Sequence, residues 1–389
     1  MSDALAVVVA KDDAELKLET LRGEGVYDES RKVREHDAAR VELPVLAEPR
    51  ATTFDELLVQ EDPEVRTAGL ADRLRERGWS EDELARAPSS WAVVGDVILV
   101  SFPDDCPDRA AVGDALLDVH GNADTVLARG GITGETRTPD VEVVAGAGDT
   151  ETVHVEHGTR YALDLAEVMF APGNQAERVR MGEIVGADER VLDMFAGVGY
   201  FALPMARAGA DVVAVEKNPV AFRYLAENAQ LNDVAANVEC VLGDCREHDG
   251  TGFDRVVMGY YDSIGGHAGR RDATARGTVS GDDAAANSVA GQREATASAN
   301  GEERPVNGGD ASAREDAYLG RAFDALGDGG VVHVHTTSPE ARFPERAGSR
   351  VEAIAAEHGA SVTVTDARVV KSHSEGVVHG VLDVEVHDG

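Results

Sequence analysis

The sequence predicts an α/β chain, with a doubly wound and largely parallel sheet in its C-terminal part and a smaller α+β domain ahead of it. Three observations predict this. The apolar run Val191–Asp193 ends in an acid, and Gly197 and Gly199 follow at alternate positions before helical spacing begins. That is a strand, a tight turn and a helix start; without a Cβ, glycine lets the backbone approach a nucleotide-like ligand closely. A second apolar run, Asp211–Glu216, also ends in an acid, 17 positions after Gly199. Doubly wound folds place a ribose-binding acid about 20 residues beyond the glycine turn. Apolar runs then keep alternating with helical segments towards the C-terminus, the pattern of parallel strands with crossover helices.

At 389 residues the chain has room for two domains, each with its own core. No stretch reaches the ~18 apolar residues of a membrane span, and the opening Met-Ser-Asp-Ala-Leu lacks the basic region of a signal peptide. A cytoplasmic protein with no membrane partner, acting as a monomer, is expected. Cys106, Cys240 and Cys245 have no metal-site spacing and read as reduced thiols; Cys240 and Cys245 read first as buried packing and second as a redox pair. The net charge is −35, from 37 basic and 72 acidic side chains, and lysine occurs only at positions 11, 17, 32, 217 and 371. The acids are dispersed along the chain, which favours adaptation to a salt-rich, halophilic cytoplasm over an acidic partner-binding tail. In molar salt the Debye length is ~3 Å, so an RNA substrate is not excluded; its contacts would be local arginines and stacking.

In chain order, 4–10 reads as a strand, 12–22 as a helix and 41–45 as a short strand. The basic cluster Arg31–Arg34 reads first as a solvated edge and second as an RNA contact. Leu57, Leu58, Leu70 and Leu74 have helical spacing, and Ser80 with the acids after it is a helix N-cap. Residues 91–102 read as one strand kinked at Gly95-Asp96, and 109–120 as an amphipathic helix. Further strands are expected at 125–128, 141–144, 152–155 and 161–165. The Gly-rich stretch from Arg129 to Arg137 reads as a hairpin connection, with a phosphate-gripping loop as the sharper alternative. The smaller domain is expected to end at residue 165.

Residues 166–389 form the expected catalytic domain. Arg178 and Arg180 lie on the helix before the central strand. Strands at 238–242 and 253–258 follow the two acid-terminated ones, and Asp244 stands at the end of the first of these, in series with Asp193 and Glu216. Strand ends face the ligand crevice in such sheets, where an acid accepts from an adenine amino group. Met258-Gly259-Tyr260 and Tyr261 close the next strand, with aromatics able to stack on a base. Residues 265–317 lack aliphatic bulk and read as a disordered insertion. A helix at 318–326 and a strand at 331–336 follow; His333 and His335 share one face of that strand, without the further ligands zinc requires. A helix at 351–358 and strands at 361–370 and 377–386 complete a sheet with one antiparallel member.

Asp193-Met-Phe-Ala-Gly-Val-Gly199, Glu216-Lys-Asn-Pro219, Gly243-Asp244 and the closing Val370–His379 together resemble the class I S-adenosylmethionine-dependent enzymes acting at tRNA position 37. The resemblance runs from about Arg129 to the end, is looser over 4–45 and fails over the insertion. It implies a Rossmann-like methyltransferase fold. The guanine-37 N1-methyltransferase branch carries Asn-Leu-Pro where this chain has Gly259-Tyr260-Tyr261, and an Arg near Pro172-Gly173-Asn174. The wybutosine-synthesising aminocarboxypropyltransferase branch reads Met-Gly-Tyr, Gly-Asn and His-x-His followed by Thr-x-Pro-Glu. Met258–Tyr260, Gly173-Asn174 and His333–Glu340 resemble that second branch. Tyr261, the insertion and Ala171 in place of a usual Ser depart from its pattern.

The resemblance implies a tRNA substrate and S-adenosyl-L-methionine as group donor, with no metal. The 3-amino-3-carboxypropyl group would pass to C7 of 4-demethylwyosine at position 37 of phenylalanine tRNA; methyl transfer to guanine-37 is the alternative. The expected cofactor-binding residues are Gly197 and Gly199 in the turn, Asp193 supporting it, Glu216 at the ribose, Asp244 and Cys245 at the adenine, and Arg178 at the carboxylate or a nearby phosphate. Met258, Gly259 and Tyr260 are expected to line the target base.

Overall fold

The computed structural model describes residues 4–64, 69–260 and 309–387. The chain packs into two compact units, Met1–Ala87 with Pro103–Gly121, and Pro88–Phe102 with Asn122–Gly389. In the first unit β1 (Leu5–Ala10), β2 (Arg34–Glu35), β3 (Arg40–Pro44) and β4 (Glu56–Val59) form an antiparallel sheet in the order β2-β3-β1-β4. Alternate residues Val7 and Val9 face Leu21 of α1 (Ala14–Gly23) and Leu43 in its core. Three further helices follow: α2 (Leu70–Glu76), α3 (Glu81–Leu84) and α4 (Arg109–Val119). Ser80 caps α3 by accepting from the Glu83 N–H while the Glu83 carboxylate accepts from the Ser80 N–H, as the sequence predicts. Leu57 and Leu58, expected on a helix, instead lie in β4 opposite Val7 and Ala6. Pairing to the edge of β1 outweighs local spacing there. Within the basic cluster Arg31 alone is buried and donates to Asp28, Gln60 and two backbone carbonyls; Lys32 is exposed and pairs with Glu64, and the partly exposed Arg34 pairs with Glu42, so that part is a solvated edge.

In the second unit β5 (Trp91–Val94) and β6 (Val97–Val100) are two antiparallel strands, not one kinked strand, because the chain reverses at Gly95-Asp96. They join β7 (Thr125–Thr133) and β8 (Thr138–Gly146) in the order β5-β6-β7-β8. The Arg129–Arg137 stretch is thus mostly strand, reversing at 134–137. A hairpin of β9 (Glu151–Glu156) and β10 (Thr159–Asp164) leads to α5 (Gln175–Ile184).

The main sheet then builds from β11 (Arg190–Asp193), α6 (Ala202–Arg207), β12 (Asp211–Glu216), α7 (Pro219–Leu231), β13 (Val238–Leu242), β14 (Phe253–Met258), α8 (Gly309–Ala325), β15 (Leu326–Pro339), α9 (Glu345–Glu357), β16 (Ser361–Ser374) and β17 (Val377–His387). Its order is β13-β12-β11-β14-β15-β17-β16, with β17 antiparallel to both neighbours. Period-2 alternation feeds two cores. Val191, Val212 and Ala214 face Leu203, Tyr224 and Leu225, whereas Leu192, Val215 and Val256 face Leu319, Phe323, Val351 and Ile354. Cys240 packs against the first core and Cys245 in the second, so the two thiols lie on opposite faces.

Two expectations change. The boundary at residue 165 moves, because Val94, Leu99 and Leu127 of β5–β7 and Tyr161 and Leu163 of β10 share a core with Met181 and Val191. Residues 265–308 of the expected insertion, like Tyr261, lie outside the described residues, while 309–317 belong to α8.

Candidate active site

The site is built at the carboxyl ends of β11, β12, β13 and β14. Gly197 and Gly199 adopt φ +57° and +102°, a region in which side chains are strained. A Cβ on Gly199 would also lie 2.6 Å from Leu203. The turn is tied to β12 twice: the Ala196 N–H donates to the Val215 carbonyl at 3.0 Å, and the Gly197 N–H donates to Glu216 Oε2 at 2.7 Å. Glu216 Oε1 accepts from the Asn218 N–H at 2.6 Å. One carboxylate therefore closes both loops facing the crevice. Burial pushes it above the usual carboxylate range, against the pull of these backbone donors.

Asp193, at the head of the turn, is fully buried; its Oδ1 accepts from the Phe195 N–H at 3.3 Å, and Oδ2 has no hydrogen-bond partner among the described residues. Burial, with Glu216 nearby, pushes its carboxyl up to about 7. The unfolded chain gives up this proton near pH ~4 and the folded chain near 7, so the stabilising difference is present below the first value and lost as pH rises through the second. The wild-type unfolding free energy, measured in urea relative to Asp193→Asn, will fall between pH 4 and pH 8. A pH-independent difference would show a carboxyl ionised throughout.

Asp244 is held well below the usual range, near 2, chiefly by the Arg246 guanidinium, which it meets at 2.5 Å, with Lys217 at 3.5 Å. Cys245 is buried, and burial, then Asp244, push its thiol up to about 12, so it is no nucleophile at neutral pH. Met258 is fully buried in the second core, so its side chain packs there instead of facing a base. Gly259 lies against the Phe201 ring and Tyr260 reaches the crevice edge. Arg178 lies 6.0 Å over the ring of Tyr200, which follows the glycine turn, but its donors are taken internally. It is 3% exposed, holds Glu156 through two bonds of 2.7 and 2.8 Å, and donates to the Ala171 carbonyl at 3.0 Å.

Several neighbours were not legible in the motifs. Phe195 lies 5.4 Å from Tyr260 and 5.1 Å from Tyr318 of α8, centroid to centroid. Arg137 stands 5.2 Å over Tyr260, and Arg246 4.7 Å over Tyr318. The tip of the β7–β8 hairpin reaches this edge: Glu135 pairs with Lys217 at 2.6 Å, and the Asn218 side chain donates to the Thr136 carbonyl at 3.1 Å. The flanking Arg pair in the Gly-rich stretch was the one available signal. His333 and His335 are taken up internally, by Asp383 at 2.7 Å and by His379 at 3.1 Å.

These residues fit a nucleoside-bearing group: a glycine turn, carboxylates ending successive parallel strands, a buried acid oxygen awaiting a donor, and open space beside Gly243. The sheet order and this site define the class I S-adenosylmethionine-dependent methyltransferase fold. Residues 152–268 match the TRM5/TYW2 methyltransferase domain, and residues 70–150 the TYW2 N-terminal domain. A tRNA(Phe) (4-demethylwyosine(37)-C(7)) aminocarboxypropyltransferase from Pyrococcus horikoshii is 33% identical over 328 residues, which is 83% of this chain and 99% of the relative. The chain belongs to the TYW2 aminocarboxypropyltransferase family. The crystal structure of P. horikoshii TYW2 in complex with MeSAdo matches with TM-score 0.61 and 30% identity, over 82% of this chain and 98% of that one. Trm5b from Pyrococcus abyssi matches with TM-score 0.65 and 27% identity, over 99% of each chain.

Proposed function

We infer that this chain transfers the 3-amino-3-carboxypropyl group of S-adenosylmethionine to C7 of 4-demethylwyosine at position 37 of phenylalanine tRNA. The observation that carries the reading is the end of β14. Met258 is buried in the core and Gly259 is flush against Phe201, so neither offers a side-chain hydrogen bond with which to hold a guanine for methylation. The near full-length likeness to a relative named for this reaction supports it.

When bound, the sulfonium donor makes each of its three attached carbons open to attack, so the outcome depends on which carbon the site holds in line. Glu216 is proposed to accept from the ribose hydroxyls with lone pairs not used by Gly197 and Asn218. Asp193 takes a donor at its open Oδ2, and Asp244 with the Cys245 backbone borders the adenine. Tyr260, backed by Phe195 and covered by Arg137, is proposed to border the target base, with the Arg137 guanidinium as the plane on which a flat base stacks. Residues 1–165 are proposed to contact the tRNA. The dispersed acids support work in a salt-rich cytoplasm, and among the described residues no helix is long and apolar enough to cross a membrane.

The second reading is N1-methylation of guanine-37, favoured by the likeness to Trm5b over the whole chain. By-product mass separates the two. Incubated with donor, tRNA carrying 4-demethylwyosine will yield methylthioadenosine, and tRNA carrying unmodified guanine-37 will yield no S-adenosylhomocysteine; the reverse pair of results would overturn the first reading.

A further inference from the structure

The β7–β8 hairpin carries Arg137 to the crevice on a tip that is exposed from 131 to 136. Arg137 itself has φ +53°, a left-handed conformation that a residue with a side chain keeps only where its surroundings hold it. Within the tip, the Arg137 N–H donates to the Gly134 carbonyl at 3.3 Å. Two further ties come from the loop after β12. Lys217 pairs with Glu135 at 2.6 Å, but both side chains are exposed, and such pairs contribute little. Asn218 is buried, and its side chain is used twice. Its Oδ1 accepts from the Val220 N–H at 2.9 Å and caps α7, while its Nδ2 donates to the Thr136 carbonyl at 3.1 Å. An N-cap needs only an acceptor, which serine or aspartate also supplies. The amide adds a donor, and the hairpin tip takes it up.

The loop that holds the tip begins at Glu216, whose carboxylate accepts from the Asn218 N–H at 2.6 Å and the Gly197 N–H at 2.7 Å. Donor and base are thereby referenced to one short segment. Glu216 stands on the ribose side, and Asn218 reaches through Thr136 to Arg137, 5.2 Å over Tyr260, on the base side. Attack by a ring carbon needs that carbon in line with the donor carbon, and rate falls steeply with misplacement. We propose that Asn218 is a positioning residue for the target base: through the Thr136 carbonyl it fixes the Arg137 guanidinium, and so sets the base in register with the donor. The inference rests on the transfer reading and on Arg137 as the stacking plane.

The test is a double-mutant cycle on the single-turnover rate of methylthioadenosine formation. It uses saturating S-adenosylmethionine and tRNA carrying 4-demethylwyosine, with wild type, Asn218→Ser, Arg137→Met and the double variant. Asn218→Ser keeps the α7 cap and is too short to reach Thr136. Its rate will fall about 3- to 10-fold, the scale of one neutral hydrogen bond, while its donor affinity by calorimetry will not change. Arg137→Met will fall at least as far. The double variant will be no slower than Arg137→Met, because Asn218 acts only through that guanidinium. A merely structural Asn218 would slow both backgrounds by the same factor and lower the melting temperature. That multiplicative result would overturn the proposal, as would a full rate in either single variant, or loss of donor affinity in Asn218→Ser. Wild type that yields no methylthioadenosine would overturn the transfer reading and this inference with it; wild-type yield with multiplicative losses would overturn this inference alone.

Discussion

Arg178→Met will destabilise the protein by about 3–5 kcal/mol, the scale expected when one member of a buried ion pair is removed and the other stays charged. Glu156 would keep only His154, at 3.0 Å, while losing both guanidinium bonds. Arg178 also lies 5.0 Å over the Phe170 ring, so packing is lost with the charge. The double variant Arg178→Met, Glu156→Gln will recover part of the loss, because no bare carboxylate remains. Urea denaturation measures both. A loss below about 1 kcal/mol, with donor affinity falling instead, would return Arg178 to the ligand.

Glu216→Ala will weaken donor binding about 10- to 100-fold, corresponding to about 1–3 kcal/mol for lost charge-assisted bonds. Two losses combine: the acceptor proposed for the ribose, and the support of the Gly197 and Asn218 amides. Glu216→Gln will lose less, since its single carbonyl oxygen still accepts from one of those amides. Calorimetric titration with S-adenosylmethionine reads both variants. Equal affinity in wild type and Ala variant would remove Glu216 from the site.

The parallel half of the chain was legible because its strands are short apolar runs, each ended by an acid or glycine, and local composition carries that signal. The placement of Asp193, Glu216 and Asp244 at or just beyond strand ends was legible for the same reason. What stayed hidden depends on residues far apart in the chain. The bond from Arg178 to Glu156, 22 positions away, has no local signal. β4 has helical spacing, and only the edge of β1 makes it a strand. Tyr318 reaches Phe195 across the gap from β11 to α8, a closure that no local pattern announces. Met258 sat in a motif, but alternation along β14 turns its side chain into the core.

β17 follows β16 in the chain yet sits between β15 and β16 in the sheet. During synthesis β16 therefore emerges before the strand that is its sole neighbour among the described residues. It has no sheet partner until β17 follows; the two pair, and β17 joins them to β15. The nucleotide-facing half, β11 to β14, depends on neither strand for its own pairing and is free to assemble first. Removing β17 would leave β16 without a place on the sheet, while the glycine turn kept its partners.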